Sequence, residues 1–177
     1  MPDEAIFAPI ADPYARFLQE CAGNLTECKV THNFTESKAV ISDVLRSLPA
    51  GPAFVEDSPL LRKLPEATFE GHTLRWSSEG AAAENTQVTV TLAHAFVAQT
   101  GSILTSARCG GRGASIIPPT HVVYGTAQQI VPDLRRALEL ITTQGLTQAS
   151  FVGLITGSSR TADIEKILVQ GAHGPRR

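Results

Sequence analysis

The sequence predicts an α/β protein, with a mostly parallel sheet and helices on both of its faces. Apolar strand-like runs alternate with amphipathic helical runs over most of the 177 residues, the pattern of strand–helix units packed in layers. The late run Phe151–Ile155 is apolar without polar alternation, as in a parallel strand covered on both faces. Hydrophobic residues make up 42% and charged residues 18%, so a packed core is within reach and disorder is not indicated. The length suits one domain spanning 1–177, with 1–24 as a helical appendage and 25–177 as the α/β core.

The elements follow in order. Asp12 is placed to cap a helix that opens on Pro13, because proline's missing N–H is an orphan there anyway. Tyr14, Phe17, Leu18 and Cys21 then recur at helical spacing, and Gly23-Asn24 ends the run. Leu25 to Thr31 alternates loosely and is read as a strand. Thr35 and Glu36 precede a second apolar helical pattern that Pro49, Gly51 and Pro52 stop. Ala53 to Val55 is a short strand. Glu56 to Asn85 is broken by prolines and glycines, with one strand around Thr73 to Trp76. Gln87 to Leu92 is rich in β-branched residues and reads as a buried strand. Ser102 to Thr105 and His121 to Tyr124 are further strands, separated by the glycine-rich loop Cys109–Gly113. Gln128 to Thr143 is expected as an amphipathic helix, and Thr161 to Val169 as the last helix, closed by Gly171.

The 15 basic and 17 acidic residues give a net charge of −2, which argues against nucleic acid as a partner. No apolar run reaches the roughly 20 residues of a membrane span. Met1 to Ile10 lacks the basic start and apolar stretch of a secretory leader, so a cytoplasmic location is expected. Cys21, Cys28 and Cys109 are odd in number and lack zinc or iron–sulfur spacing. They are expected to be ordinary reduced cysteines, and no metal or cofactor is expected in this chain.

The segment from Phe151 to Glu165 carries the candidate site. An apolar strand ends at Thr156-Gly157, and Ser158, Ser159, Arg160 and Thr161 follow. If a helix begins there, its free N–H groups and dipole would attract an anion, and Arg160 adds a planar donor fork for a carboxylate or phosphate. A plainly capped helix start accounts for the same residues equally well. Neither a Walker motif nor a GxGxxG fingerprint is present. Arg112 is a candidate second anion contact or an exposed loop arginine. His121 is a candidate proton-transfer or orienting group, or an ordinary half-buried histidine. His173, in Gly171–Arg176, is placed to fold back near the same edge. No serine sits in a GxSxG elbow, and no catalytic residue is assigned.

The run Thr156-Gly-Ser-Ser-Arg-Thr-Ala-Asp-Ile-Glu165, followed by Gly171-Ala-His-Gly-Pro175, resembles the signature of the LUD domain of LutC-type lactate-utilization proteins. That signature reads TGPSRTADIE and then GVHGP. Ala98–Ser102, Arg112 and Ile117–His121 resemble its other marks, so the likeness covers roughly Val88 to Arg176. Ser158 stands where the family usually has proline, and the family normally continues past the position of Arg177 into a further apolar strand. The resemblance implies a Rossmann-like fold similar to the NagB/RpiA/CoA-transferase group. It also implies action with two iron–sulfur partner proteins in the oxidation of L-lactate to pyruvate, the clusters residing in the partners. The expected function is therefore that of the cluster-free subunit, binding a small carboxylate or phosphate. Two other functions remain open: a stand-alone enzyme on a phosphosugar or CoA ester, by fold analogy, and a scaffold or regulatory subunit without a ligand site.

Overall fold

Asp12 accepts a hydrogen bond from the Ala15 N–H at 3.0 Å and opens helix α1, Pro13–Gly23. The computed structural model describes residues 8–82, 84–162, 168–170, 174, 175 and 177. After α1, Leu25 adopts a positive φ of 58° and is 61% exposed. The strand expected over Leu25–Thr31 does not form, because this segment has no sheet partner and turns its apolar side chains outward. Helix α2, Phe34–Arg46, is capped by Asn33, whose side chain accepts from the Glu36 N–H, while Glu36 reaches back to the His32 N–H at 2.8 Å. Two of the N–H groups orphaned at any helix start are thereby satisfied.

Strands β1 (Gly51–Val55), β2 (His72–Trp76), β3 (Val88–Leu92) and β6 (Thr120–Tyr124) form a parallel sheet in the order β2-β1-β3-β6. Ile41 and Leu45 of α2 pack on one face against Ala53, Val55, Val88 and Val90, with Leu61, Leu64 and Phe69 from two 3-10 turns completing that core. Leu45, Val55 and Val88 are fully buried, each worth about 2 kcal/mol in apolar transfer. The alternate side chain Phe54 points to the other face, where it meets Ala82 and Ala114. The glycine loop covers this face: Gly110, at φ +83°, leaves room for the Phe54 ring and Thr91, and Thr89 Oγ1 donates to the Ala114 carbonyl at 2.6 Å.

A second sheet lies beyond what the sequence announces. Strands β4 (Ala95–Val97), β5 (Ser102–Ser106), β7 (Ile130–Val131) and β8 (Val152–Thr156) run in the order β7-β4-β5-β8. Its β4–β5 and β5–β8 pairs are antiparallel, and β4–β7 is parallel. One face packs Phe96 and Ile130 on Phe17 and Cys21 of α1. The other packs Ala95 and Leu104 on Leu140 and Ile141 of helix α3, Leu134–Thr143. That helix starts later than expected. Pro132 cannot lie inside a helix and forces Val131 toward extended backbone, so Ile130–Val131 becomes β7 and Asp133 caps the Arg136 N–H at 2.8 Å.

Two readings around Phe151–Val169 are corrected. The apolar run is β8, paired antiparallel with β5, with Leu154 39% exposed; it is not a strand of the parallel sheet. Where the last helix was expected, Arg160–Ala162 forms strand β9 and Leu168–Gln170 strand β10, paired antiparallel with Thr161 opposite Val169; residues 163–167 of the expected helix lie outside the described residues. β-Branched residues at facing positions favour extended pairing over a helix. The α/β class, with a parallel sheet flanked by helices, stands. At the outer edge of β6, the His121 N–H donates to the Arg177 carbonyl and the Arg177 N–H to that of Pro119, at 2.8 and 3.3 Å. Among the described residues no helix is long and apolar enough to cross a membrane.

Candidate functional site

The turn that leaves β8 is held by contacts from remote parts of the chain. Gly157 has φ +66°, and a Cβ there would lie 2.5 Å from the Asn24 carbonyl oxygen. Only glycine fits both the left-handed backbone and that approach. Asn24 caps the end of α1, and its side-chain amide donates to the Thr100 carbonyl at 2.9 Å. Helix α1 is thereby tied to the β4–β5 connection and to the turn. The Ser159 N–H donates to the Pro175 carbonyl at 2.8 Å, which brings the Gly174-Pro175 segment to the same place.

Three hydroxyls form a chain beside this turn. Thr100 Oγ1 and Ser102 Oγ are 2.6 Å apart, and Ser102 Oγ and Thr156 Oγ1 are 2.6 Å apart. Ser158 Oγ is buried and finds no hydrogen-bond partner among the described residues, a costly state for a hydroxyl unless another polar group reaches it. Thr156, Gly157, Ser158 and Ser159 line a cleft of about 500 Å³, in the size range of small-molecule sites. Phe151, Leu154 and Ile116 give it an apolar wall. The Phe151 ring lies so close over Gly153 that a Cβ there would be 2.6 Å from it. The guanidinium of Arg112 lies 5.8 Å from the centre of the Phe151 ring, an arrangement favoured by the negative face of the ring.

The structure therefore gathers Thr156–Ser159 along the cleft, whereas Arg112 does not line it and touches only the Phe151 ring. Arg160 and Thr161 follow as the backbone of β9. The helix start expected to draw an anion does not form, because Arg160–Ala162 is strand β9. His121 does not line the cleft. It is on β6 in the parallel sheet, where Nε2 and Thr91 Oγ1 are 2.9 Å apart. Burial pushes its pKa down to about 4, so it is neutral at pH 7. His173 lies outside the described residues.

Sequence reasoning missed Asn24 and Ser115 as cleft residues and gave Phe151 only as the start of the candidate segment. Asn24 showed only as the end of a helix, and its distance in sequence from Gly157 hid the contact. It also missed a second polar cluster beyond the carboxyl ends of β1 and β3. There His94 Nε2 lies 2.8 Å from Ser106 Oγ and 3.3 Å from Cys109 Sγ. Glu56, next to β1, accepts from the Leu92 N–H at 2.8 Å. Burial lowers the pKa of His94 and raises those of Cys109 and Glu56, so the resting pair is a neutral imidazole beside a neutral thiol. Among the described residues no group of three or more His, Cys, Asp or Glu is arranged to hold a metal ion.

Comparison with known proteins gives the chain its relatives. A family model described as the LUD domain matches residues 68–177. A protein of Bacillus subtilis (strain 168) called Lactate utilization protein C is 36% identical over 97 residues, covering 52% of this chain and 40% of that protein. A protein of the same name from Anoxybacillus flavithermus is 36% identical over 156 residues, covering 82% of this chain and 69% of its own length. The match to a third, from Macrococcus caseolyticus, is 34% identical and spans 51% of that protein, so the chain spans about half the length of several curated relatives it matches. In structure, the chain resembles a DUF162 family protein from Deinococcus radiodurans with a TM-score of 0.67 and 19% identity, over 94% of this chain and 93% of that one.

Proposed function

The chain belongs to the LUD domain family, and on that premise we propose that it serves lactate utilization as a cluster-free subunit, acting with iron–sulfur partner proteins in the oxidation of L-lactate to pyruvate. Its own part is to hold a small carboxylate or phosphate in the cleft at the Gly157 turn. The observation that carries this reading is the coincidence of the Thr156–Ser159 segment with the cleft, together with the buried, unpartnered hydroxyl of Ser158. The shared name of the curated relatives supports the pathway.

The cleft has the chemistry for a small anion. Thr156 and Ser158 bring hydroxyls to the cleft, Arg112 lies against its Phe151 wall, and Arg160 follows the turn in sequence. A carboxylate accepts from such donors, and charge-assisted bonds of this kind are roughly twice as strong as neutral ones. Without a helix start, recognition rests on side-chain hydroxyls and guanidinium groups. Oxidation of a 2-hydroxy acid to a 2-oxo acid releases two electrons and two protons, and in this reading the electrons pass to clusters in the partners. When the purified chain is mixed with its iron–sulfur partners, lactate-dependent dye reduction is expected to require this chain and to fall with Arg160→Ala. Equal dye reduction when the chain is left out would overturn the reading.

A further inference from the structure

The strands of the parallel sheet stand in the order β2-β1-β3-β6. From β1 the chain goes to one side to form β2, then crosses to the other side to form β3. The strand order therefore reverses between β1 and β3. In open α/β sheets, ligands bind in the crevice beyond the carboxyl ends of such a pair. Just past those ends lie Glu56, after Val55 of β1, and His94, two residues after Leu92 of β3. The end of β5 and the glycine-rich loop after it bring Ser106 and Cys109 against His94.

We propose that this crevice is an acyl-transfer site for short activated acyl groups, carried as esters or thioesters, in which Cys109 is the nucleophile, His94 its base and the Gly110 N–H an oxyanion donor. The Cys109 sulfur attacks the carbonyl carbon: the S–C bond forms, the carbonyl π pair moves to oxygen, and the thiol proton passes to His94 Nε2. The carbonyl re-forms, the bond to the leaving group breaks, and that group departs with the proton from His94. Cys109 is then an acyl thioester. Water adds in the same way, with His94 again taking and returning a proton, and the acid leaves a free thiol. In sum, one ester or thioester and one water give an acid and an alcohol or thiol, with no oxidation or reduction.

The geometry assigns the parts. His94 Nε2 lies 3.3 Å from Cys109 Sγ and 2.8 Å from Ser106 Oγ, and a thiol within hydrogen-bond reach of an imidazole is placed for activation. Ser106 Oγ accepts from the Arg108 N–H at 3.1 Å, which leaves its own proton to point at the imidazole. With Ser106 donating, Nε2 is the unprotonated nitrogen and can take the thiol proton. Burial raises the Cys109 thiol and lowers His94, so the proton moves only as the sulfur attacks. Gly110 is buried, and its N–H makes no hydrogen bond among the described residues. Buried N–H groups are seldom left so, and the N–H next after a nucleophile is a common oxyanion donor. A side chain at Gly110, φ +83°, would meet the Phe54 ring at 3.3 Å, whereas beside Gly111 the space is open. Cys109 is 4% exposed and His94 half-buried, so the approach lies on the imidazole side and favours a short acyl group. None of these residues lines the cleft at the Gly157 turn, and the proposal is independent of what that cleft binds.

The full chain carrying Cys28→Ser, which removes the exposed thiol, is mixed at pH 7 with p-nitrophenyl acetate and, separately, with phenyl thioacetate. A burst of about one leaving group per chain is expected, and peptide mapping by mass spectrometry should place the acetyl group on Cys109. A burst with either compound supports the site, and the faster one names the better acyl donor. Cys109→Ala should abolish the burst, and His94→Gln should slow it about a hundredfold, with the folding of each checked by urea unfolding. A second measurement needs no variant at the site. An inert buried thiol is acylated more slowly in the folded chain than in urea, whereas Cys109 should acquire its acetyl group at least about tenfold faster when folded. No burst with either compound, acetylation at Ser106 in place of Cys109, an unchanged burst in Cys109→Ala or His94→Gln, or slower Cys109 acylation in the folded chain than in urea would each overturn the proposal.

Discussion

Replacing Gly157 by alanine tests whether the turn of the cleft is held by the approach of Asn24. Two costs apply. Alanine at φ +66° is strained by about 1 kcal/mol relative to glycine. Its Cβ would also lie 2.5 Å from the Asn24 carbonyl oxygen, well inside contact distance, and that atom is backbone and cannot swing away. Moving it displaces the end of α1 and loosens the bond from the Asn24 side chain to Thr100, worth about 1 kcal/mol. The expected total is about 2 kcal/mol. Gly145 provides the control, with φ +64° and no atom within 4 Å of the place its Cβ would take, so Gly145→Ala should cost only the backbone part, about 1 kcal/mol. Urea unfolding at 25 °C measures both. If the two substitutions cost the same within about 0.5 kcal/mol, the measurement resolves no contact penalty and the claimed role of Asn24 is wrong.

Other parts of the structure give sharper expectations for stability and spectroscopy. His121 has a folded pKa of about 4 against an ordinary 6.5, so the unfolded chain takes the proton first. Its contribution, complete above pH 6.5, is lost as pH falls toward 4 and amounts to about 3 kcal/mol; urea unfolding from pH 7 to 4 should show a shallower loss in His121→Gln than in the parent. Asp133 caps α3, so Asp133→Ala should lower the unfolding free energy by about 1 kcal/mol, and an unchanged urea midpoint would refute the cap. Arg62 stacks its guanidinium 4.1 Å from the ring centre of the single tryptophan, Trp76, while pairing with Asp57. Arg62→Ala should shift the Trp76 fluorescence maximum to longer wavelength as water reaches the ring.

What the sequence made legible tracks how local the cause is. Asp12 with Pro13 announced α1, and Pro49 announced the end of α2, because caps and prolines act within a turn of themselves. Strands β1, β3, β5 and β6 showed through β-branched or apolar runs. Strands β4 and β7, of three and two residues, are too short to carry a periodicity and exist through their partners. Ile130 and Val131 fitted the helical spacing of α3, and only Pro132 argued otherwise. Ser159-Arg160-Thr161 has the composition of a helix cap, and the strand state of Arg160–Ala162 rests on pairing with Leu168–Gln170. In the site, Thr156–Ser159 were legible as a turn after an apolar strand. Asn24, whose side chain meets a residue 76 positions away, was not, since nothing in its neighbours encodes that contact.

The hydroxyl chain Thr100–Ser102–Thr156 gives the cleft a property that a helix start would lack. Three hydroxyls hold three protons, and their two mutual bonds, each 2.6 Å, use two of them. The third is free at one end of the chain. When it is at Thr156, the cleft is offered a donor; when all three rotate, Thr156 offers a lone pair. A fixed helix dipole favours anions only, whereas this chain can serve a carboxylate or the hydroxyl of a hydroxy acid by rotation, without moving a heavy atom. Ser102 is its pivot, 3% exposed, and Ser102→Ala leaves Thr156 without the partner that orients it. In the reading of the cleft as an anion site, Ser102→Ala should weaken lactate or phosphate binding about tenfold, equivalent to roughly 1.4 kcal/mol. Calorimetric titration of the two anions measures this. Unchanged affinity for both in a folded Ser102→Ala protein would show that the chain is internal scaffolding and that the cleft recognises its ligand through other groups.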